Sequence, residues 1–505
     1  VKDFIDETWT TFQNAHPEIA RSISMYSTHR GRAQSKAAIL KSIKKCDVPM
    51  KCPPIDNIFY FTLEMVINYL SPFLTVTPTT SFVDCDFNFK AKPGEPYEGK
   101  GIDSKQNALF TKTFVKRFKN KDVAQYFKTF AKIELLPLID IQKNDIDDIN
   151  KIRTIFNGSF DLLAWCAELF DQQNDALIAA AGKIWSSYGR NKWQGGFNDM
   201  FKRLEDFEFI EEGDVSGYDR VAVLFIVYLI RRQCLNLSPK QEADFGFVSF
   251  YLISAFITCP DGHLYFVKFG NRSGSRNTAS DNTILHIFIR FYQLITFFLK
   301  KLKRLPNLAE VLHVHYANIY SDDTISGIKL SFFSATDSEW IQHLEETYAL
   351  FGMVRKPKTI KTSTFLKVID PKHSFLGSKV RFNNRFKMYY PVPDIGKITS
   401  SLIFTCERKQ LIFTVSRLMA LITLVAFDDE HYEVYQGMTL MLRELVRDRL
   451  DEIPTQFHHD IIEFSSCCDK NSYFLYHYFG FESGGSNTKV FRGFKFFTSY
   501  FNTLL

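Results

Sequence analysis

The sequence lacks the paired-cysteine signatures of metal ribbons and disulfide scaffolds: among nine cysteines there is no Cys-x2-Cys pair, only scattered residues and the adjacent Cys467-Cys468. Reduced thiols of a cytosolic compartment are therefore expected. An apolar run of membrane-spanning length is also missing. The longest, residues 284–299, is interrupted by Arg290 and falls short of the roughly 18 residues a span needs, so a buried helix and no transmembrane segment are expected. The start, Val1-Lys2-Asp3-Phe4, has neither an initiator Met nor a charged-then-apolar leader, which reads as a trimmed chain or a product cut from a larger precursor. No internal repeat or low-complexity tract is found. With 45% hydrophobic and 23% charged residues, disorder and collagen-like structure are excluded as overall descriptions.

What is present is a chain of 505 residues, long enough for several compact units. Its 62 Lys and Arg exceed its 56 Asp and Glu by six, a balance that permits nucleic-acid binding without demanding it. A basic run, from His29-Arg30-Gly31-Arg32 through Lys36, Lys41, Lys44, Lys45 and Lys51, reads either as a solvated helix face or as a surface for RNA or a partner. The 51 phenylalanines are scattered and read as core rather than as a base-stacking platform.

Two acidic clusters organise the rest. Asp322-Asp323 lies at a small-residue turn between two strand-like runs, so a β-hairpin carrying both carboxylates at its tip is expected. Adjacent carboxylates repel, and a divalent cation between them relieves the repulsion. Upstream, Asp214-Val215-Ser216-Gly217-Tyr218-Asp219 follows a strand-like Phe207-Glu208-Phe209-Ile210. Two-metal phosphoryl chemistry needs carboxylates converging from separate elements, and Asp214, Asp322 and Asp323 supply them.

Other stretches suit the same chemistry. Lys92-Pro93-Gly94 sits in an extended Pro/Gly turn fit to meet a phosphate backbone or to form an ordinary surface loop. Lys151 and Arg153 share one side of a strand repeat and could pair with a triphosphate, or lie on a solvated face. Residues 221–232 read as a helix behind the sheet, residues 337–353 as a capped helix, 374–382 as a hairpin, and the chain beyond 400 as largely helical. His313 and His315 read as alternating on a strand, without a third ligand for a metal.

In this order the motifs resemble those of RNA-dependent RNA polymerases of positive-strand RNA viruses, the picornavirus-like group above all. Ser273-Gly274-x3-Thr278-x3-Asn282 matches that family's loop-and-helix motif at every fixed position. It lies between Asp214-x4-Asp219 and Tyr320-Ser321-Asp322-Asp323, as the family requires. One departure stands out: Ser321 occupies the place where the family usually has Gly.

The resemblance implies an α/β (α+β) fold, a closed right hand of fingers, palm and thumb with the palm on an antiparallel sheet. Its divisions would be an amino-terminal fingers extension over 1–90, fingers over 91–205, palm over 206–235, fingers again over 236–272, palm over 273–370, and a thumb over 371–505 that opens with a primer-grip hairpin. It implies template-directed RNA synthesis with two Mg²⁺, or Mn²⁺, on Asp214, Asp322 and Asp323. Lys361 would be the general acid, with Lys356 and Lys358 as close competitors. Lys151, Arg153, Asp219, Ser273, Gly274, Thr278 and Asn282 would bind the nucleotide, and Lys92, Pro93, Gly94 and Lys379 the RNA. The implied partners are template and nascent RNA, nucleoside triphosphates, a genome-linked protein primer and other viral replication proteins, at replication complexes in the host cytoplasm. A reverse transcriptase shares the Tyr-x-Asp-Asp hairpin, but places a bulky aromatic where this chain has Asp219, which can accept a hydrogen bond from a ribose 2′-hydroxyl. A catalytically silent RNA-binding protein on a polymerase fold is the remaining alternative.

Overall fold

The strand before the first acidic cluster, the Asp322-Asp323 hairpin and the end of the basic strip meet in one antiparallel sheet, ordered Lys361–Thr364, Phe209–Glu212, Asp323–Ile328, His315–Tyr320, while Val215–Ser216 pairs separately with Val354–Arg355. The computed structural model describes residues 5–31, 39–40, 43–44, 49–79, 81–120, 124–131, 135–138, 154–192, 195–259, 261–268, 270–384, 387–404, 411–426 and 428–468. The expected basic strand residues Lys151 and Arg153, and most of the basic run after Gly31, lie outside them. Glu212 is paired with Ile325 on one side and with Lys361 on the other, which sets the register of the acidic strand against both neighbours. The segment at 185–187 extends the sheet beyond His315–Tyr320: the Ile319 N–H donates to the Trp185 carbonyl at 2.9 Å, and the Ser187 N–H to that of Ile319 at 2.7 Å.

Behind this sheet runs the helix Thr278–Leu302, packed on the strand His315–Tyr320 and on the helices Asn57–Leu74, Leu224–Gln233 and Asp337–Leu350. It is apolar on nearly every side, and such a helix must be buried. Phe288, Phe291, Phe297 and Phe298 are all fully buried, each removal from water being worth roughly 1.5–3 kcal/mol. Its length and apolarity would suffice to cross a membrane, but 89% of the qualifying window is buried inside the protein. Arg290 sits in the middle of this helix with no exposure, and its charge is met by the equally buried Glu211, 2.8 Å away.

A second sheet, ordered Thr154–Gly158, Tyr126–Ala131, Ala255–Thr258, Leu264–Val267, contains one parallel pair. Its edge strand Thr154–Gly158 leads directly into the buried helix Phe160–Ala179. Downstream, Ser374–Phe375, Ser378–Asn383 and Met388–Pro393 form a three-stranded antiparallel sheet, so the expected hairpin gains a third strand.

The carboxy-terminal helices Ile395–Ile403, Leu411–Val425, Tyr432–Arg449 and His458–Cys467 build a separate apolar core with Trp9, Phe12, Ala20 and Ile23. The helices Glu7–Ala15 and Pro17–Met25 thus pack on the far end of the chain, whereas Asn57–Leu74 joins the core behind the central sheet. The stretch 1–90 therefore divides among three clusters, the third formed by Phe82 and Phe87 with Phe114 and Phe160. One local expectation is corrected: His313 is not on a strand. A reciprocal capping box of Asn307 and Glu310 starts the helix Leu308–Val314, and the strand begins only at His315.

Candidate active site

Pairing of Tyr320 with Asp323 leaves Ser321 and Asp322 as a two-residue turn, with Asp323 opening the return strand. Ser321 has φ 58°, a left-handed conformation that hairpins of this length usually give to Gly. Three hydrogen bonds from one face of the long helix hold it there. Its N–H donates to Thr283 Oγ1 at 2.9 Å, its carbonyl meets His286 Nδ1 at 3.0 Å, and its hydroxyl accepts from Asn282 Nδ2 at 3.0 Å. Burial, aided by the Arg290 cation, pushes the His286 imidazole down to about 3, so it is neutral. A carbonyl can only accept; the single ring proton is therefore on Nδ1, and Nε2 accepts from the Tyr348 hydroxyl at 2.7 Å.

Asp214 follows the strand Phe209–Glu212 by two residues, at the same end of the sheet as the Ser321-Asp322 turn. Its own backbone is stitched to the basic strip: the Asp214 N–H donates to Thr359 Oγ1, and the Lys356 N–H to the Asp214 carbonyl, both at 2.9 Å. Lys356 Nζ lies 3.3 Å from Asp214 Oδ2, with both side chains about half exposed at 48% and 46%. Lys361 is elsewhere. Its ammonium donates to Glu212 Oε1 at 2.6 Å and to Ser374 Oγ at 2.8 Å, tying the central sheet to the three-stranded one.

The carboxylates at this end act on their surroundings together. The buried Tyr218 hydroxyl is pushed well above its ordinary range by burial first, then by Tyr348, Asp322 and Asp219, and that of Tyr320 is raised by burial and Asp323. Hard carboxylate oxygens of this kind suit a divalent cation. Among the described residues, the trio whose ligand atoms all lie within 4.8 Å of one another is instead Asp428, Glu430 and His431, in which Asp428 and His431 are already paired at 2.8 Å.

Beside the turn, Asn282 Nδ2 also donates to Asp219 Oδ1 at 2.6 Å, and Asn282 Oδ1 accepts from Asn271 Nδ2 at 2.9 Å. Asn271 supports Asp219 as well, its N–H donating to the Asp219 carbonyl at 2.6 Å. The loop between them lies on the second sheet. Phe156 N–H donates to the Ser273 carbonyl at 2.8 Å, and Gly274, at φ 110°, has no room for a side chain: a Cβ would sit 2.7 Å from the Phe156 carbonyl oxygen. Ser273 and Gly274 are thereby docked on the strand that directly follows Lys151 and Arg153. The Thr278 hydroxyl closes the loop internally, donating to the carbonyls of Arg272 and Ser275. Arg272, buried, reaches the carbonyls of Leu252, Ile253, Val267 and Gly270 and fastens the loop to the second sheet.

The outlying candidates occupy two other places. The Lys92-Pro93-Gly94 turn abuts the end of the strand Thr154–Gly158: Gly94, at φ 74°, would bring a Cβ to 2.6 Å from the Gly158 carbonyl oxygen. Lys379 is exposed on the strand Ser378–Asn383. Lys192, which sequence reasoning did not single out, donates to the Leu376 carbonyl at 3.0 Å and to Ser378 Oγ at 3.2 Å. Burial, with Lys397 adding to it, lowers its ammonium to about 8 against the opposing pull of Asp323. Lys192 was missed because it acts through contacts distant in the chain; for Asn271 and Arg272 the nearness to Ser273-Gly274 was the signal available.

The family model described as "Viral RNA-dependent RNA polymerase" matches residues 2–436. "Non-structural polyprotein 1AB" of Turkey astrovirus 1 is 24% identical over 281 residues, covering 54% of this chain and 16% of that polyprotein. "Genome polyprotein" of Plum pox potyvirus (strain SK 68) is 23% identical over 368 residues, covering 68% of this chain and 11% of the relative. The same-named protein of Watermelon mosaic virus II (isolate USA) is 24% identical over 279 residues, covering 51% and 26%. The chain thus corresponds to a minor part of each polyprotein's length.

Proposed function

The chain belongs to the viral RNA-dependent RNA polymerase family, and on that premise we propose that it copies an RNA template by two-metal nucleotidyl transfer at Asp214, Asp322 and Asp323. The observation that carries this reading is the strand register: it brings Asp214 and the Ser321-Asp322 turn to one end of the central sheet. Two bound Mg²⁺ or Mn²⁺ would lower the pKa of the primer 3′-hydroxyl and neutralise charge on the leaving pyrophosphate. Asp214 and Asp322 are the principal ligands in this scheme, and Asp323 acts at the metal or the primer end.

The chain's own groups do the rest. Asp219, held by Asn282 and Asn271, presents its carboxylate to the ribose 2′-hydroxyl. Lys151 and Arg153 hold the triphosphate, the Ser273-Gly274 loop being docked on the strand that follows them. For proton transfer to pyrophosphate, Lys356 is better placed than Lys361, because its ammonium already reaches Asp214 whereas Lys361 is bound to Glu212 and Ser374. The right-hand division follows: the central sheet as palm, the second sheet as fingers with Lys92, Pro93 and Gly94 toward the template, and the carboxy-terminal helices as thumb, entered through the sheet that carries Lys379. The two amino-terminal helices packed on that thumb support a closed hand. A protein primer, other replication proteins and replication complexes in the host cytoplasm belong to the same reading.

The test is primer extension on RNA and on DNA templates, offering ribonucleotides and 2′-deoxyribonucleotides separately with Mg²⁺ or Mn²⁺. Ribonucleotide extension confined to the RNA template is expected. Efficient deoxyribonucleotide extension on RNA would assign the chain to reverse transcription instead. RNA binding without extension under either metal would leave the silent scaffold.

A further inference from the structure

Asn282 offers one carbonyl and two N–H groups, and the fold engages its whole amide. The oxygen accepts from Asn271 at 2.9 Å, and the nitrogen donates to Asp219 Oδ1 at 2.6 Å and to the Ser321 hydroxyl at 3.0 Å. Asn282 is 1% exposed, so an amide N–H that lost its acceptor here would be poorly solvated. Ser321 meanwhile holds a left-handed φ of 58°, which glycine adopts without a steric cost. A residue with a side chain is thus kept where the backbone favours none, and its hydroxyl touches the residue that orients Asp219.

We infer that Ser321 is a positioning residue for sugar selection: its hydroxyl fixes the Asn282 amide, and through it the Asp219 carboxylate, in the orientation that recognises a ribose 2′-hydroxyl. The inference rests on the polymerase reading above. Its physical content is a chain of hydrogen bonds from the metal-holding turn to the carboxylate, Ser321 to Asn282 to Asp219, braced from the other side by Asn271. The neighbouring bonds from Thr283 and His286 hold the Ser321 backbone and do not depend on its side chain. Removing the hydroxyl alone therefore takes away one of the three hydrogen bonds that hold the amide while the turn stays anchored.

The experiment compares kcat/KM for a ribonucleotide and its 2′-deoxy analogue in wild type, Ser321→Gly, Asn282→Ala and the double variant. Glycine suits the turn, so the variant tests the hydroxyl and not the backbone. Loss of one ordered hydrogen bond predicts a fall in the ribo-to-deoxy ratio of about tenfold for Ser321→Gly, with ribonucleotide kcat moving less than the ratio. The double variant should match Asn282→Ala alone, since Ser321 acts through Asn282. An unchanged ratio in Ser321→Gly, or two effects that multiply independently, would overturn the inference. For a variant that binds RNA but extends poorly, equilibrium binding of the two triphosphates gives the same ratio. Wild-type ribonucleotide extension reports separately on the polymerase reading.

Discussion

Glu211→Gln should destabilise the protein by about 3 kcal/mol at neutral pH, because the carboxylate is the shared counter-ion of two buried guanidinium groups. Its oxygens lie 2.8 Å from Arg290 and 2.5 Å from Arg355, and Ser326 donates to it at 2.5 Å; Glu211 and Arg290 are wholly buried. Burial alone would raise this carboxyl. Arg290, Arg355 and the Ser326 hydroxyl outweigh it and hold the group at about 2, below an ordinary 4.5. Breaking such a buried ion group by removing one member costs about 3–5 kcal/mol, which gives the figure stated. Since the folded-state value is the lower one, the stabilisation is complete above about 4.5 and disappears as pH falls toward about 2. Urea unfolding between pH 3 and 7 checks it: the wild type should lose stability across the acidic limb, and Glu211→Gln should start lower and lose less. A variant within about 0.5 kcal/mol of wild type at pH 7 would refute the reasoning and reduce the Arg290-Glu211-Arg355 group to a packing contact.

Gly274→Ala adds a methyl 2.7 Å from the Phe156 carbonyl oxygen at a left-handed φ, at a cost of about 2 kcal/mol or more, and should raise the nucleotide KM in steady-state extension by at least tenfold. Lys192, lowered to about 8 chiefly by burial, should give urea unfolding a pH dependence between about 8 and 10.5 that Lys192→Met removes. The folded state gives up this proton more readily than the unfolded chain does, so the Lys192 contribution to stability rises with pH from about 8 to 10.5. Lys356→Met should slow single-nucleotide addition and remove its solvent deuterium isotope effect, and Lys361→Met should chiefly loosen the contact between the two sheets, read as a lower unfolding temperature.

Most of the central sheet was legible because its signals are local. The Asp322 hairpin and the strand before Asp214, and in the separate three-stranded sheet the Ser374 hairpin, each carry their own turn chemistry and alternation; the structure shifts the expected turn to Ser321-Asp322, leaving Asp323 on the return strand, and the first strand by two residues, to Phe209–Glu212. The helix Leu308–Val314 was also written locally, in an Asn-x-x-Glu capping box, but the alternation of His313 and His315 competed with it and misled. Other features depend on long-range pairing. Arg290 reads only as an interruption of an apolar run until Glu211, itself paired with Arg355, is brought against it from another element. The lysines at 356 and 361 are equivalent in sequence; the strand pairing of Lys361 with Glu212 separates them. The union of Trp9 and Phe12 with the carboxy-terminal helices spans nearly the whole chain, and no local pattern announces it.

Single-turnover addition of one ribonucleotide to an annealed RNA primer–template, with RNA affinity measured in parallel, tests the central claim most directly in Asp214→Asn and Asp322→Asn. If these carboxylates hold the catalytic metals, each variant should lose on the order of a thousandfold in rate while binding RNA as tightly as the wild type. A rate within tenfold of wild type for either variant would contradict the assignment of the metal site to the end of the central sheet.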